Sequence, residues 1–377
     1  MSPAKPHIAV IGAGAFGGWT ALYLLRSGAR VTLLDAWGPG NSRASSKGET
    51  RVIRGTYGPN QPYTSMTAHA IRLWQEHEKR WNCPLLHRTG VLWMAADRDD
   101  QFERGSLPLL REAGIAYEEL SRDEIGRRWP QINLEGVRWG IFEPESGFLA
   151  AGRACQAVFH GFLKEGGEYR QAAVLGDGLD DAEWKELTLS DGSKLIADSY
   201  VFACGPWLRS LFPETIGNRL CATKQDVFYF GTPPGNRQFS EKSLPVWADH
   251  REHFIYGIPG DPAGFKIADD TRGPEFDPTN GERIVSAEGL KAIRSYLGFR
   301  FPALKDAPLL ETQVCQYENT PDGGFIIDRH AKRKHVWLVG GGSGHGFKHG
   351  PVIGEMVAKL VIEDEEPNPQ FGLARLR

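Results

Sequence analysis

Cysteine is scarce in this sequence, five in 377 residues, and Cys83, Cys155, Cys204, Cys221 and Cys315 are scattered without CxxC spacing. That argues against a disulfide framework or a zinc ribbon and suits free thiols in a reducing compartment, so the cytoplasm is the expected location. His345 and His349 lack metal-ligand spacing with another His or Cys, and no metal is expected. Neither sign of charge dominates: 44 Lys and Arg stand against 47 Asp and Glu, a formal net charge of -3. Such a balance offers no field for nucleic acid or an anionic membrane surface. Long apolar runs are missing as well, so no segment is expected to cross a membrane. The short run Ile8 to Ile11 ends at once in glycines and reads as a strand, not a signal peptide.

What is present is an ordinary globular composition, 41% apolar and 24% charged, in a chain longer than one core usually serves. Two domains with a ligand site between them are the first expectation. The opening is strand, glycine turn, helix: His7 to Ile11, then Ala15 to Ser27 closed by Gly28. Arg30 to Asp35 follows as a second, parallel strand and completes a βαβ unit. A helix is expected from about Tyr63 to Trp81 and another from Arg153 to Glu165, with a buried strand at Tyr200 to Ala203. Leu86 to Ala96 and Lys224 to Ile267 carry short Val, Phe, Tyr and Ile runs broken by Gly, Pro and Asp, which predicts an antiparallel sheet. Val336 to Val339, the glycines of Gly340 to Gly346 and a helix from Pro351 to Ile362 repeat the opening theme. The expected architecture is α/β with an α+β second domain: a Rossmann-like dinucleotide domain made of residues 1–85, 150–223 and 310–377, interleaved with a substrate domain made of 86–149 and 224–309.

Gly12, Gly14 and Gly17 form GxGxxG between strand and helix, where the missing side chains let a pyrophosphate approach the helix N-terminus. Asp35 ends the second strand, placed to accept hydrogen bonds from adenosine ribose hydroxyls and unsuited to a 2'-phosphate. The motif alone leaves FAD and NAD open.

The text around Cys315, CQYENTPD followed by Phe325 to Asp328, is more specific. With Gly340 to Gly350 (GGGSGHGFKHG), Glu49 to Arg54 (ETRVIR) and Ala203-Cys-Gly205-Pro-Trp207, it resembles the monomeric sarcosine oxidase and N-methyltryptophan oxidase family of the D-amino acid oxidase superfamily. The resemblance implies FAD as cofactor, tethered through a thioether at Cys315. It implies a cofactor-binding set of Gly12, Gly14, Ala15, Phe16, Gly17, Asp35, Ala36, Arg43, Ser45, Ser46, Thr50, Arg51, Val174, Ala203, Gly205, Trp207 and Cys315. Gly342, Gly344, His345, Gly346 and Lys348 complete it, on a loop whose N–H groups would face the flavin.

The same likeness implies a small amine or amino acid substrate and dioxygen as electron acceptor. Arg54 and Lys348 fall at the carboxylate-binding positions, a task for which an Arg fork is well shaped. Arg51, one turn earlier, would face the flavin and the oxygen-reacting side. Lys266 matches the lysine that activates dioxygen, and Tyr256 and Tyr317 match aromatic positions of the substrate cavity. Asp270 departs from the pattern, standing where sarcosine oxidases carry a histidine. An acid there looks more like the deglycating fructosyl amino acid oxidases, and a dehydrogenase using another acceptor is a further alternative.

Overall fold

The computed structural model describes residues 5–176, 178–180, 184 and 186–376. A six-stranded sheet forms the first layer, ordered Ile326–His330, Arg333–Gly340, Ser199–Phe202, His7–Ile11, Arg30–Asp35 and Glu168–Gln171. His7–Ile11 pairs in parallel with both neighbours, Ser199–Phe202 pairs in parallel with Arg333–Gly340, and only Ile326–His330 runs antiparallel. This is the Rossmann-like layer. Strands buried on both faces need unbroken apolar sequence, and His7–Ile11 is buried at every position. The carboxyl ends of three adjacent strands, at Ile11, Phe202 and Gly340, therefore open side by side, where ligands of such sheets collect.

Helix Ala15–Arg26 returns from the first glycine turn and Gly350–Glu363 from the last. They pack so closely that a Cβ on Gly354 would fall 2.6 Å from the backbone of Trp19. Two turns 330 positions apart in sequence are thus held over one sheet edge. The helix bounds differ slightly from the sequence expectations: Gln61–Trp81 starts earlier with Pro62 in its first turn, and Ala151–Lys164 starts two residues before Arg153.

The second sheet has eight strands, in the order Leu309–Asn319, Cys221–Phe230, Gly264–Asp269, Phe254–Asp261, Val246–His250, Val91–Ala96, Val137–Glu143 and Glu118–Ser121. The sheet is antiparallel as expected except for one pair, in which Val246–Asp249 lies parallel to Val91–Met94. The two segments are joined by a long connection rather than a hairpin, which frees their relative direction. Leu86–His87 pairs instead with Gly147–Ala150 in a three-stranded sheet that also holds Thr50–Ile53. Arg51 is therefore on a strand, and the helical turn expected between Arg51 and Arg54 does not form.

Alternation along the eight-stranded sheet sorts its residues into two faces. Phe228, Phe230, Trp247, Phe265 and Ile267 face helix Ala287–Arg300 and build one core. The cross-strand register places Cys315 opposite Gln225, Tyr317 opposite Thr223, Lys266 opposite Tyr229, and Tyr256 opposite Ala268. These residues, with Asp270 two positions past Ala268, share the other face, which is turned to the Rossmann-like layer.

Candidate active site

The first cavity encloses about 1280 Å³, counting its open mouth, against the carboxyl edge of the six-stranded sheet. Gly12, Gly14, Ala15, Phe16, Asp35, Ala36, Ser45, Ser46, Arg51, Val174, Ala203, Gly205, Trp207, Gly342, Gly344 and Gly346 line it. The three motif glycines have three separate causes. Gly12 has φ +104°, and a Cβ there would meet the Ala203 carbonyl oxygen at 2.3 Å. A Cβ on Gly17 would fall 1.8 Å from the Gly12 carbonyl oxygen, so its bareness seats the helix on the turn. At Gly14 the nearest protein atom to an added Cβ is Ser46 Oγ at 3.3 Å, which leaves the backbone open to the cavity. Helix Ala15–Arg26 has no acidic residue in its first turn and no side-chain cap, so its positive end is free for an anion.

Asp35 accepts hydrogen bonds from the backbone N–H groups of Ala13, Trp37 and Gly38 at 2.8–2.9 Å while facing the cavity. Burial raises its pKa and those three donors oppose the rise. Two buried polar atoms on the same wall, Ser45 Oγ and Glu318 Oε2, have no hydrogen-bond partner among the described residues. Burial lifts the Glu318 carboxyl to about 7, opposed by the N–H of Gly342 on its other oxygen. A long hydroxyl-rich anion with polar groups along its length meets these requirements, and FAD fits them.

Gly17, Arg43 and Thr50 lie outside this wall. Gly17 packs inside the turn. Arg43 lies over the Trp37 ring at 5.4 Å and donates to the Thr279 carbonyl, clasping the cavity rim together with Trp207, whose indole N–H donates to Thr279 Oγ1. Thr50 donates to Asp261 at 2.5 Å and receives Lys266 Nζ on its carbonyl at 2.8 Å.

A second cavity of about 770 Å³, again with its mouth, is lined by Arg51, Arg54, Tyr256, Lys266, Asp270, Cys315, Tyr317, His345 and Lys348, with Val52, Val91, Val227, Val246 and Phe254 as apolar wall. Arg51, Tyr317, Gly344 and Phe347 line both cavities, so the two meet there. Cys315 Sγ is at this junction, 3.6 Å from an Arg51 Nη that also donates to the carbonyls of Ser45 and Lys47.

Four cations and one carboxyl group face the second cavity. Burial, reinforced by Arg51, brings the Lys266 ammonium down to about 7. Burial and the nearby Arg54 hold Lys348 well below the usual lysine range. Burial lifts Asp270 to about 6, against the Tyr317 hydroxyl that donates to it at 2.5 Å. Among the described residues neither Arg54 nor Lys348 has a carboxylate within ion-pair distance. Each spends one donor on a backbone carbonyl, Arg54 on Thr56 and Lys348 on His345. A half-buried guanidinium and a buried lysine amine, each with donors to spare, form a site for an anion, whose charge would hold the amine protonated.

Sequence reasoning missed Tyr57, Trp93, Glu318, Trp37 and Phe347. Tyr57 follows Arg54 by three residues and could have been noticed as an aromatic beside a candidate clamp. Trp93 and Phe347 are indistinguishable in sequence from core aromatics.

The comparisons agree with this geometry. Residues 7–360 match the family described as DAO, FAD dependent oxidoreductase. The monomeric sarcosine oxidase of Bacillus sp. (strain B-0618) is 28% identical over 364 residues, spanning 94% of this chain and 92% of that protein. The N-methyl-L-tryptophan oxidase of Salmonella heidelberg (strain SL476) is 27% identical over 383 residues, spanning 99% and 98%. Among solved structures, the L-proline dehydrogenase from P. horikoshii superposes with a TM-score of 0.85 at 21% identity, covering 99% of this chain and 98% of that one, a likeness of fold alone. With the dinucleotide cavity, its glycine turns and this match along nearly the whole sequence, the chain belongs to the family of FAD dependent oxidoreductases.

Proposed function

We propose that this protein oxidises the C–N bond of a small secondary amine or N-substituted amino acid through FAD, with dioxygen as acceptor and hydrogen peroxide as product. The observation that carries the reading is the half-buried Arg54 and the buried Lys348, without ion-pair partners among the described residues, in a cavity that shares walls with the dinucleotide cavity. FAD supplies the redox chemistry, taking up a hydride equivalent from the carbon beside nitrogen. Arg54 and Lys348 take the substrate carboxylate and so fix the amine against the junction. Asp270, the one carboxyl group on that wall among the described residues, receives the amine and takes its proton, so that the amine is neutral when the hydride equivalent leaves the adjacent carbon. The valines and Phe254 exclude water from the reacting carbon. Lys266, held by the Thr50 carbonyl, provides a positive charge beside Cys315 and Arg51 for the reaction with dioxygen. Cys315 would carry the flavin as a thioether, with its sulfur at the junction where the ring must lie to reach both cavities. The relatives named for sarcosine and N-methyl-L-tryptophan oxidation support the substrate class. The five unpaired cysteines support a cytoplasmic location.

The test is peroxide release in air from a panel of N-methyl, cyclic and glycated amino acids. Turnover confined to glycated amino acids would move the reading to the deglycating alternative. Flavin reduced by substrate but reoxidised slowly in air would replace the oxidase with a dehydrogenase.

A further inference from the structure

Tyr57 has no assigned role in the reading above, yet both cations of the clamp lie over its ring. The Arg54 guanidinium carbon is 4.4 Å from the ring centroid and the Lys348 ammonium is 5.1 Å from it. The Arg54 guanidinium carbon also lies 4.6 Å from the Trp93 ring centroid, so two aromatic rings contact it. The ring itself is pinned. Its hydroxyl lies 3.1 Å from His345 Nδ1 and 3.0 Å from His349 Nε2.

The proton order of this chain follows from its ends. Burial keeps both histidines neutral, His345 being brought down to about 3 and His349 well below its ordinary value. His345 Nε2 lies 3.0 Å from the Gly323 carbonyl, which only accepts, so that nitrogen carries the proton and Nδ1 is an acceptor. Tyr57 then donates to His345, and its oxygen receives the N–H of His349. The other nitrogen of His349 has no hydrogen-bond partner among the described residues, as suits a bare lone pair in an apolar setting. Phe325 stacks on His345 with ring centroids 4.8 Å apart and fixes its plane.

A carboxylate paired directly with either cation would occupy the donors the substrate needs; Asp270, which acts on both only through space, is bonded to the Tyr317 hydroxyl and leaves those donors free. An aromatic face offsets part of the desolvation while leaving the hydrogen-bonding edge free. We propose that Tyr57 is the positioning residue of the carboxylate clamp, its ring holding Arg54 and Lys348 in place of a direct ion-pair partner and its hydroxyl locked between His345 and His349. The inference rests on the reading of Arg54 and Lys348 as that clamp.

The experiment measures binding of acetate and of acetamide to the purified, flavin-loaded protein, read from the perturbation of the flavin absorbance. Wild-type protein that prefers acetate supports the clamp; no preference removes the clamp itself, and this inference with it. Given the preference, Tyr57→Leu weakens acetate about tenfold or more and leaves acetamide unchanged, while Tyr57→Phe, which keeps the ring, stays within about threefold of wild type. Tyr57→Met, unbranched and without a π face, is the second non-aromatic variant should the leucine protein fail to fold. A non-aromatic variant that binds acetate as wild type does, or that loses acetate and acetamide alike, overturns the role of Tyr57 and leaves the clamp standing.

Discussion

Two glycines of one motif are required for different reasons, and single methyl groups separate those reasons. In Gly17→Ala the new Cβ would fall 1.8 Å from the Gly12 carbonyl oxygen, 2.9 Å from its carbon and 3.1 Å from Ala203 Cβ. None of these is the far end of a flexible side chain. The helix must lift off the turn, at the upper end of the overpacking range, about 3 kcal/mol. Alanine's better helix propensity returns roughly 1 kcal/mol, leaving a net loss of about 2 kcal/mol. In Gly14→Ala the Cβ meets only Ser46 Oγ at 3.3 Å, so the fold is spared. The methyl instead stands between the backbone and the pyrophosphate, and one lost hydrogen bond to a charged group costs about 1.5–3 kcal/mol, roughly tenfold to a hundredfold in flavin affinity. Both variants are made in a Cys315→Ser background, so that flavin binding stays reversible. Thermal unfolding of the flavin-free proteins and flavin titration then give the two quantities separately. The reasoning is refuted if Gly17→Ala unfolds at the temperature of its parent, or if Gly14→Ala lowers that temperature while binding flavin normally.

The remaining predictions concern the junction and the second cavity. After acid denaturation and filtration the yellow colour stays with the wild-type chain, whereas in Cys315→Ser it passes into the filtrate. Glu318→Ala, in that same serine background, weakens flavin binding about tenfold or more, because Oε2 is the oxygen left for the cofactor, while the lost bond from the Gly342 N–H lowers stability by only about 1 kcal/mol. The Lys266 ammonium is brought down to about 7, so it is charged below that pH and neutral above; stopped-flow reoxidation of reduced protein by dioxygen slows as pH rises through about 7, and Lys266→Met is slow at every pH. Asp270 is lifted to about 6 and ionises above it, so kcat/KM for an amine substrate climbs as pH rises through about 6, a limb that Asp270→Asn removes.

The glycine turn and Asp35 were legible from position, whereas Cys315, Tyr317, Lys266 and Asp270 were singled out by the family resemblance, with which their spacing agrees. The opening strand, its glycines and Asp35 appear in sequence order, and the structure keeps them adjacent. Cys315 and Tyr317 stand two apart, so any strand through them would put both on one face. Lys266 and Asp270 obey the same rule four residues apart. What the sequence hid was set by long-range pairing. Nothing local announces that Val246–His250 runs parallel to Val91–Ala96, since strand direction is fixed by the path of the chain between them. Trp93 and Tyr57 look like core aromatics until the fold brings Arg54 against both rings. Glu318 looks like a solvated acid until burial and a missing partner show otherwise.

The central claim is that Arg54 and Lys348 hold a substrate carboxylate so that its amine meets the flavin. The direct measurement is anaerobic mixing of the oxidised protein with N-methyl amino acids and, separately, with the same amines lacking the carboxylate, following the flavin band. Rapid bleaching by at least one N-methyl amino acid and slow or no bleaching by its decarboxylated counterpart is the expected result. Equal bleaching by both, or none from any member of the series, contradicts the account.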